Sequence, residues 1–334
     1  MGRTGRGRAA TGPTLTGHPD RPGAAPLPGL KPLALARSAI DRAAGQRTDP
    51  DWLARARAGP GTRMLVIDDG KTLVRFGPDA ASLVLLPAAQ PPADVEFFLG
   101  LDRDGCAYFS VMAPLPDPAG LPQDGPGQVR PAGLREAGAL LDDRDAGLFT
   151  HAVALANWHA THPRCPRCGA LTTVVTGGHS RLCPVDGSEH FPRTDPAMIT
   201  LVTDAGDRAL LARNSRWPER RVSILAGFVE PGESAEQAVV REVAEETGIV
   251  VDEVRYLGSQ PWPMPQSLML GFWARAAGDQ PIRVDAEEIA EAHWFSRDEL
   301  REAMAAGQIR LPPPVSIAHR IIEAWYGKDL PALW

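Results

Sequence analysis

Cysteine is scarce in this sequence: four residues among 334, Cys106, Cys165, Cys168 and Cys183. Three of them fall close together, which argues against a disulfide framework and for a reducing compartment, the cytoplasm. Long apolar runs are missing too. No stretch of about 18 apolar residues occurs, so no helical membrane span is expected. The opening residues lack the apolar core of a secretory signal, so none is expected. Positive charge is also in deficit, and a formal net charge of −6 argues against a broad nucleic-acid-binding surface. Lysine is nearly absent beside arginine. No function follows from that bias.

What remains is ordinary for a globular chain. A hydrophobic fraction of 43% supports a sizeable core, and 334 residues suggest two domains or one with additions. Residues 1–30, rich in Gly, Pro, Thr and Arg, read as a mobile tail whose Arg3, Arg6 and Arg8 could touch a polyanion. An α+β domain is expected over residues 31–160. It has helical pieces around Trp52, strands at Met64–Ile67, Thr72–Phe76, Ser82–Leu86, Val95–Leu101 and Ala107–Val111, and helices from Leu134 to about Trp158. A cysteine-bearing insert follows over 161–193, and a catalytic domain over 194–334. There, Met198–Val202 and Ala209–Ala212 read as a hairpin, Val254–Leu257, Leu268–Ala274 and His293–Phe295 as strands, and Ser316–Tyr326 as a final helix. Cys106, alone between apolar residues, is expected as a buried small hydrophobe.

The most informative stretch runs from Gly227 to Ile249. Ser234 with Gln237 forms a capping-box pattern that starts a helix, and Gly248 is placed to end it. Ala235, Ala238, Val239 and Val243 give that helix a buried stripe. Glu242, Glu245 and Glu246 share another face, since side chains three and four apart are neighbours. Crowded carboxylates repel unless cations sit among them, and hard ions such as Mg²⁺ or Mn²⁺ take oxygen ligands and bring phosphate with them. A metal–phosphate site is the inference.

Cys165-Pro166-Arg167-Cys168-Gly169 reads as a metal knuckle, with Cys183 returning about fifteen residues later at zinc-ribbon spacing. Asp186 stands where a fourth ligand is expected, with His190 in reserve and His179 behind it. One structural Zn²⁺ per chain is the reading. Farther on, Ser259-Gln260-Pro261-Trp262-Pro263-Met264-Pro265-Gln266-Ser267 carries three alternating prolines. They stiffen a loop that loses little entropy on binding and could hold Gln260, Trp262, Gln266 and Ser267 toward a ligand.

The Gly227–Ile249 stretch matches the Nudix signature position for position. With the zinc ribbon and the proline run in that order, the chain resembles the NADH pyrophosphatase (NAD⁺ diphosphatase) family of Nudix hydrolases. The resemblance is strong over about residues 130–325 and looser before. It implies an α+β protein: a Nudix α/β/α sandwich with an N-terminal α+β domain and a small zinc ribbon between them. It implies Mg²⁺- or Mn²⁺-dependent cleavage of NAD(H) to nicotinamide mononucleotide and AMP, removal of NAD caps from RNA 5′ ends in some members, and a homodimer.

By matching position, Glu242, Glu246 and the Ala226 carbonyl resemble metal ligands. Glu245 resembles a further ligand or an acid–base group, and Arg241 with Glu233 a loop-to-helix brace. Glu288 resembles a metal ligand outside the helix, with Glu287 the one-residue alternative. Phe228 and, from the partner subunit, Phe191 resemble aromatics that stack on a base. The run Gln260, Pro261, Trp262, Pro263, Met264, Pro265, Gln266 and Ser267 resembles the substrate wall, and Ala318 a backbone contact to substrate. The family commonly has Phe at Met264, Cys at Asp186 and Tyr at Phe191. Nudix action on ADP-ribose or a dinucleoside polyphosphate, RNA decapping as the main activity, and a non-catalytic nucleotide sensor stay open as alternatives.

Overall fold

The computed structural model describes residues 29–88, 95–121 and 127–330. Almost all of the expected tail therefore lies outside the described residues.

In the first part, Asp49 accepts the Trp52 amide and Pro50 sits in the first turn, which starts helix α1 (Pro50–Arg57). Strands β1 (Arg63–Ile67), β2 (Lys71–Phe76), β3 (Ala81–Leu83), β4 (Leu86–Pro87), β5 (Glu96–Leu101), β6 (Ala107–Met112) and β7 (Gln128–Gly133) follow. They form two sheets, ordered β4-β1-β6-β5 and β3-β2-β7. A short helix α2 (Leu134–Ala137) leads to α3 (Asp143–Thr161), whose buried Leu148, Phe149, Ala152, Val153 and Ala156 close the core over Leu65, Ile67, Phe97 and Leu99. Cys106 is half-buried rather than fully buried, its thiol 2.7 Å from the Gly61 carbonyl. A hydrogen bond to the backbone keeps it at the edge of the core.

A small antiparallel sheet comes next, from β8 (Thr173–Val175), β9 (Ser180–Leu182) and β10 (Glu189–His190). It is clamped to α3. Arg181 donates to the Thr172 hydroxyl (2.6 Å) and carbonyl (2.8 Å) and lies 2.8 Å from His159 Nδ1, while His159 Nε2 reaches the Gly178 carbonyl at 2.8 Å.

The last part is built on β11 (Asp195–Thr203), β12 (Ala209–Asn214), β13 (Leu225–Phe228), β14 (Val251–Trp262), β15 (Ser267–Ala276) and β16 (Ile289–Phe295). The path is β14-β15-β11-β12-β16, with β13 paired to the first half of β11. Alternation along β11 divides the core. Met198 and Val202 pack with Ala238, Val239 and Val243 of α4 (Ala235–Thr247). Ile199 and Leu201 pack on the other face against α5 (Arg297–Ala305) and α6 (Ile317–Tyr326), through Leu300, Ile317, Ile321 and Trp325. Helix on sheet on helix is the sandwich that the resemblance implied. No helix among the described residues is long and apolar enough to cross a membrane.

Most expected elements lie at their places, but the strand expected over Ser82–Leu86 is two, β3 and β4, in different sheets, because the chain crosses from one sheet to the other there. Strands β7, β8–β10 and β13 and helix α5 are additions. The proline run differs from the expected loop. Ser259–Trp262 finishes the twelve-residue strand β14, Ser267 opens β15, and only residues 263–266 make the turn.

Candidate active site and metal centres

Strand β13 and helix α4 position the acidic cluster. The capping box forms in both directions between Ser234 and Gln237, and Gly248 ends the helix at φ 71°. Arg241 then ties loop to helix: its guanidinium donates to both Glu233 oxygens (2.8 and 2.9 Å) and to the Phe228 carbonyl (2.9 Å). The same guanidinium lies 2.9 Å from Glu242 and 3.0 Å from Glu245. Glu233 falls below the usual carboxylate range because of that bond. Glu242 is pressed against Gly227, where a Cβ would overlap its carboxylate.

Glu246 lies deepest, 6% exposed, and its Oε2 has no hydrogen-bond partner. Burial first, then the charges of Glu242, Glu288 and Glu245, push its pKa up to about 8. Glu242 is also raised, chiefly by burial. Glu288 reaches the cluster because its loop docks on α4: the Asp285 amide donates to the Glu246 carbonyl at 3.2 Å and the Arg283 amide to the Thr247 carbonyl at 2.8 Å. The charge of Glu288 is among those that raise Glu242 and Glu246. An orphaned buried carboxylate among three like charges suits a divalent cation, so the donor set fits hard metal ions.

The second centre is in the small sheet. Ligand atoms of Cys165, Cys168, Cys183 and Asp186 all lie within 4.8 Å of one another. Asp186 is fixed by the Ser188 amide (2.9 Å) and hydroxyl (2.5 Å). His190 is one step out, 3.0 Å from the Ser188 hydroxyl, and His179 is engaged with the Phe98 carbonyl at 2.8 Å. Three thiolates and a carboxylate suit tetrahedral zinc, and Asp186 rather than either histidine joins the cysteines.

The proline run borders both the first domain and the sandwich. Asn157 of α3 donates to the carbonyls of Pro263 (2.8 Å) and Pro265 (3.0 Å). Gln266 donates to Asp195 at 2.8 Å, while Trp262 and Met264 pack on the N-terminal core. Pro261 pairs across the hairpin with Leu268, and Trp262 with Ser267.

The structure places two expected substrate contacts away from solvent. Gln260 is wholly buried, accepting from the Leu35 amide (3.5 Å) and donating to the Val315 carbonyl (3.1 Å). Its side chain joins distant segments. Ala318 is buried in the α6 core, and its amide is taken by the Ser316 hydroxyl at 3.2 Å. Phe191 and Phe228 are exposed, at 64% and 59%. Arg135, which the sequence reading missed, lies with its guanidinium 5.3 Å from the Trp262 ring centre.

Three family models match the chain in series: an NADH pyrophosphatase-like rudimentary NUDIX domain over residues 60–158, an NADH pyrophosphatase zinc ribbon domain over 160–191, and a NUDIX domain over 193–313. The NAD-capped RNA hydrolase NudC of Mycobacterium bovis is 44% identical over 303 residues, covering 87% of this chain and 94% of that protein. The chain belongs to the NADH pyrophosphatase family of Nudix hydrolases. NudC of Mycobacterium tuberculosis is 43% identical over the same span, and human NAD-capped RNA hydrolase NUDT12 is 31% identical over 336 residues, covering 72% of its length. For this Nudix hydrolase, the ribbon match and the Cys₃Asp cluster agree on a structural zinc.

Proposed function

We propose that this Nudix hydrolase cleaves the diphosphate bridge of NAD(H), releasing nicotinamide mononucleotide and AMP, and splits the same bridge in NAD-capped RNA, releasing nicotinamide mononucleotide and leaving a 5′-monophosphate on the RNA. The observation that carries the reading is Glu246, a buried, unpartnered carboxylate raised by three neighbouring acids. The named activities of the mycobacterial and human relatives support the substrate.

In this reading Glu242, Glu246, Glu288 and the Ala226 carbonyl would hold Mg²⁺ or Mn²⁺. The bound ions would neutralise the diphosphate and polarise it for attack by water. Exposed Glu245 orients that water and accepts its proton. Arg241 is a positioning residue, holding the Glu233 loop and the Phe228 carbonyl against α4. Water adds to one phosphorus, the bridging P–O bond breaks, and two monophosphates leave.

Trp262, with Pro261, Pro263, Met264, Pro265, Gln266 and Ser267, forms a rigid wall for the dinucleotide, and Arg135 above Trp262 attracts its phosphates. Phe228 and Phe191 of a second copy stack on its rings. Their exposure in the single chain supports a homodimer. The reduced zinc thiolates support a cytoplasmic setting.

The test is product analysis with purified protein, Mn²⁺ or Mg²⁺, and NADH, ADP-ribose and NAD-capped RNA. Both mononucleotides should appear from NADH. Preference for ADP-ribose, or cleavage outside the diphosphate, would overturn the assignment.

A further inference from the structure

Arginines without acidic partners gather beside the catalytic acids. The connection after β12 reads Ser215-Arg216-Trp217-Pro218-Glu219-Arg220-Arg221. Both of its ends are tethered. Ser215 donates from its amide to the Glu288 carbonyl and from its hydroxyl to the Glu287 carbonyl, each at 2.8 Å. At the far end the Arg310 amide donates to the Arg220 carbonyl at 2.6 Å, and the Val222 amide to the Arg310 carbonyl at 3.0 Å. The loop thus starts at the segment bearing Glu288 and ends beside Arg310.

Nearby Arg213 and Arg297 are paired with Glu291 and Asp207. Among the described residues, Arg216, Arg220, Arg221 and Arg310 have no such pair, and Glu219 is the one acid in their loop. Arg221 lies over the Trp217 ring, 4.8 Å from its centre. It also stands close enough to Arg135, on Trp262, to oppose its charge. The positive strip therefore continues from the dinucleotide wall.

In a chain of net charge −6 this strip is a local exception. Its charges sit on long side chains strung along a surface loop, with an aromatic ring among them. That pattern suits an extended phosphodiester backbone better than one small anion.

We propose that the Arg216–Arg221 loop, with Arg310, is the track for the RNA backbone that follows the NAD cap. The inference rests on the proposed cleavage of NAD. It assigns these arginines to the choice of capped RNA over free dinucleotide.

The test uses the full-length R220E/R310E variant, with R220A/R310A as a milder pair should the glutamates impair folding. Both positions are exposed and outside the dinucleotide wall. Values of kcat/KM are measured on NADH and on NAD-capped single-stranded RNA across a salt series. The charge-reversed pair should keep wild-type activity on NADH and lose at least about tenfold on capped RNA. The salt dependence for RNA should flatten by about 1.4 in log–log slope, roughly 0.7 for each lost phosphate contact.

Unchanged RNA kinetics would overturn the track and leave the strip to an acidic protein. Equal losses on both substrates would overturn it too, by placing these arginines on the dinucleotide. Wild-type protein that cleaves neither substrate would refute the proposed function itself, a result distinct from either.

Discussion

Replacing Glu246 with Gln removes a charge while keeping the side chain's size, and the consequence should reverse with metal. Without metal, burial and three like charges hold the Glu246 carboxyl near pKa 8 rather than the ordinary 4.5. Between those values the folded protein keeps a proton that the unfolded chain has released. Wild-type stability therefore falls as pH rises through that window. By pH 8 the cost is on the order of 4 kcal/mol, and near pH 4.5 it vanishes.

In chelator at pH 8, Glu246→Gln should thus melt at least about 5 °C above wild type, and the gap should close by pH 5. Adding Mg²⁺ or Mn²⁺ should raise the wild-type melting temperature and move the variant much less. NADH turnover of the variant should fall at least about a hundredfold. Thermal melts by differential scanning fluorimetry at two pH values, with and without metal, measure all of this. Equal melting temperatures in chelator at pH 8, or a gap independent of pH, would refute the reasoning.

Elemental analysis should find about one zinc per chain. Cys168→Ser should lose it and speed hydrogen exchange through β8–β10, since metal contributes roughly 10–16 kcal/mol to such modules; unchanged exchange in zinc-free protein would count against a structural ion. Burial, the leading cause, holds His159 and His179 neutral with pKa values of about 4. As pH falls from about 6.5 to 4 only the unfolded chain gains these protons, so each should remove about 3 kcal/mol of stability across that window. His159→Gln should flatten this acid limb in urea titrations, and an unaltered limb would contradict the origin given. Gln260→Leu leaves the Leu35 amide and Val315 carbonyl unpaired and should cost about 2 kcal/mol with KM for NADH unchanged. A raised KM at unchanged stability would return Gln260 to the substrate site.

Features written in contiguous residues were legible in the sequence. The capping box, the helix-ending Gly248 and the three acids are one local pattern, and a helix allows little choice about which side chains share a face. The zinc cluster was legible for the same reason, because knuckle spacing alone brings Cys165 and Cys168 together. Contacts between distant segments were not. Arg135 meets Trp262 across 127 positions, and nothing near Arg135 marks it. Gln260 sat in a run read as a ligand-facing loop, but the strand carries it inward. Strand β7 went unseen because Pro131 and its polar neighbours hide the alternation that marks a strand.

Two glycines of the signature illustrate different demands on the same residue type. Gly232 has φ +89° with open space around it, so its requirement is one of backbone handedness, and asparagine is its natural substitute. At Gly227 the crowding comes from the movable end of Glu242 rather than from main chain. An alanine there would leave the polypeptide path intact and evict the acid from its seat. A library screened for expression should tolerate that change, whereas one screened for turnover should reject it.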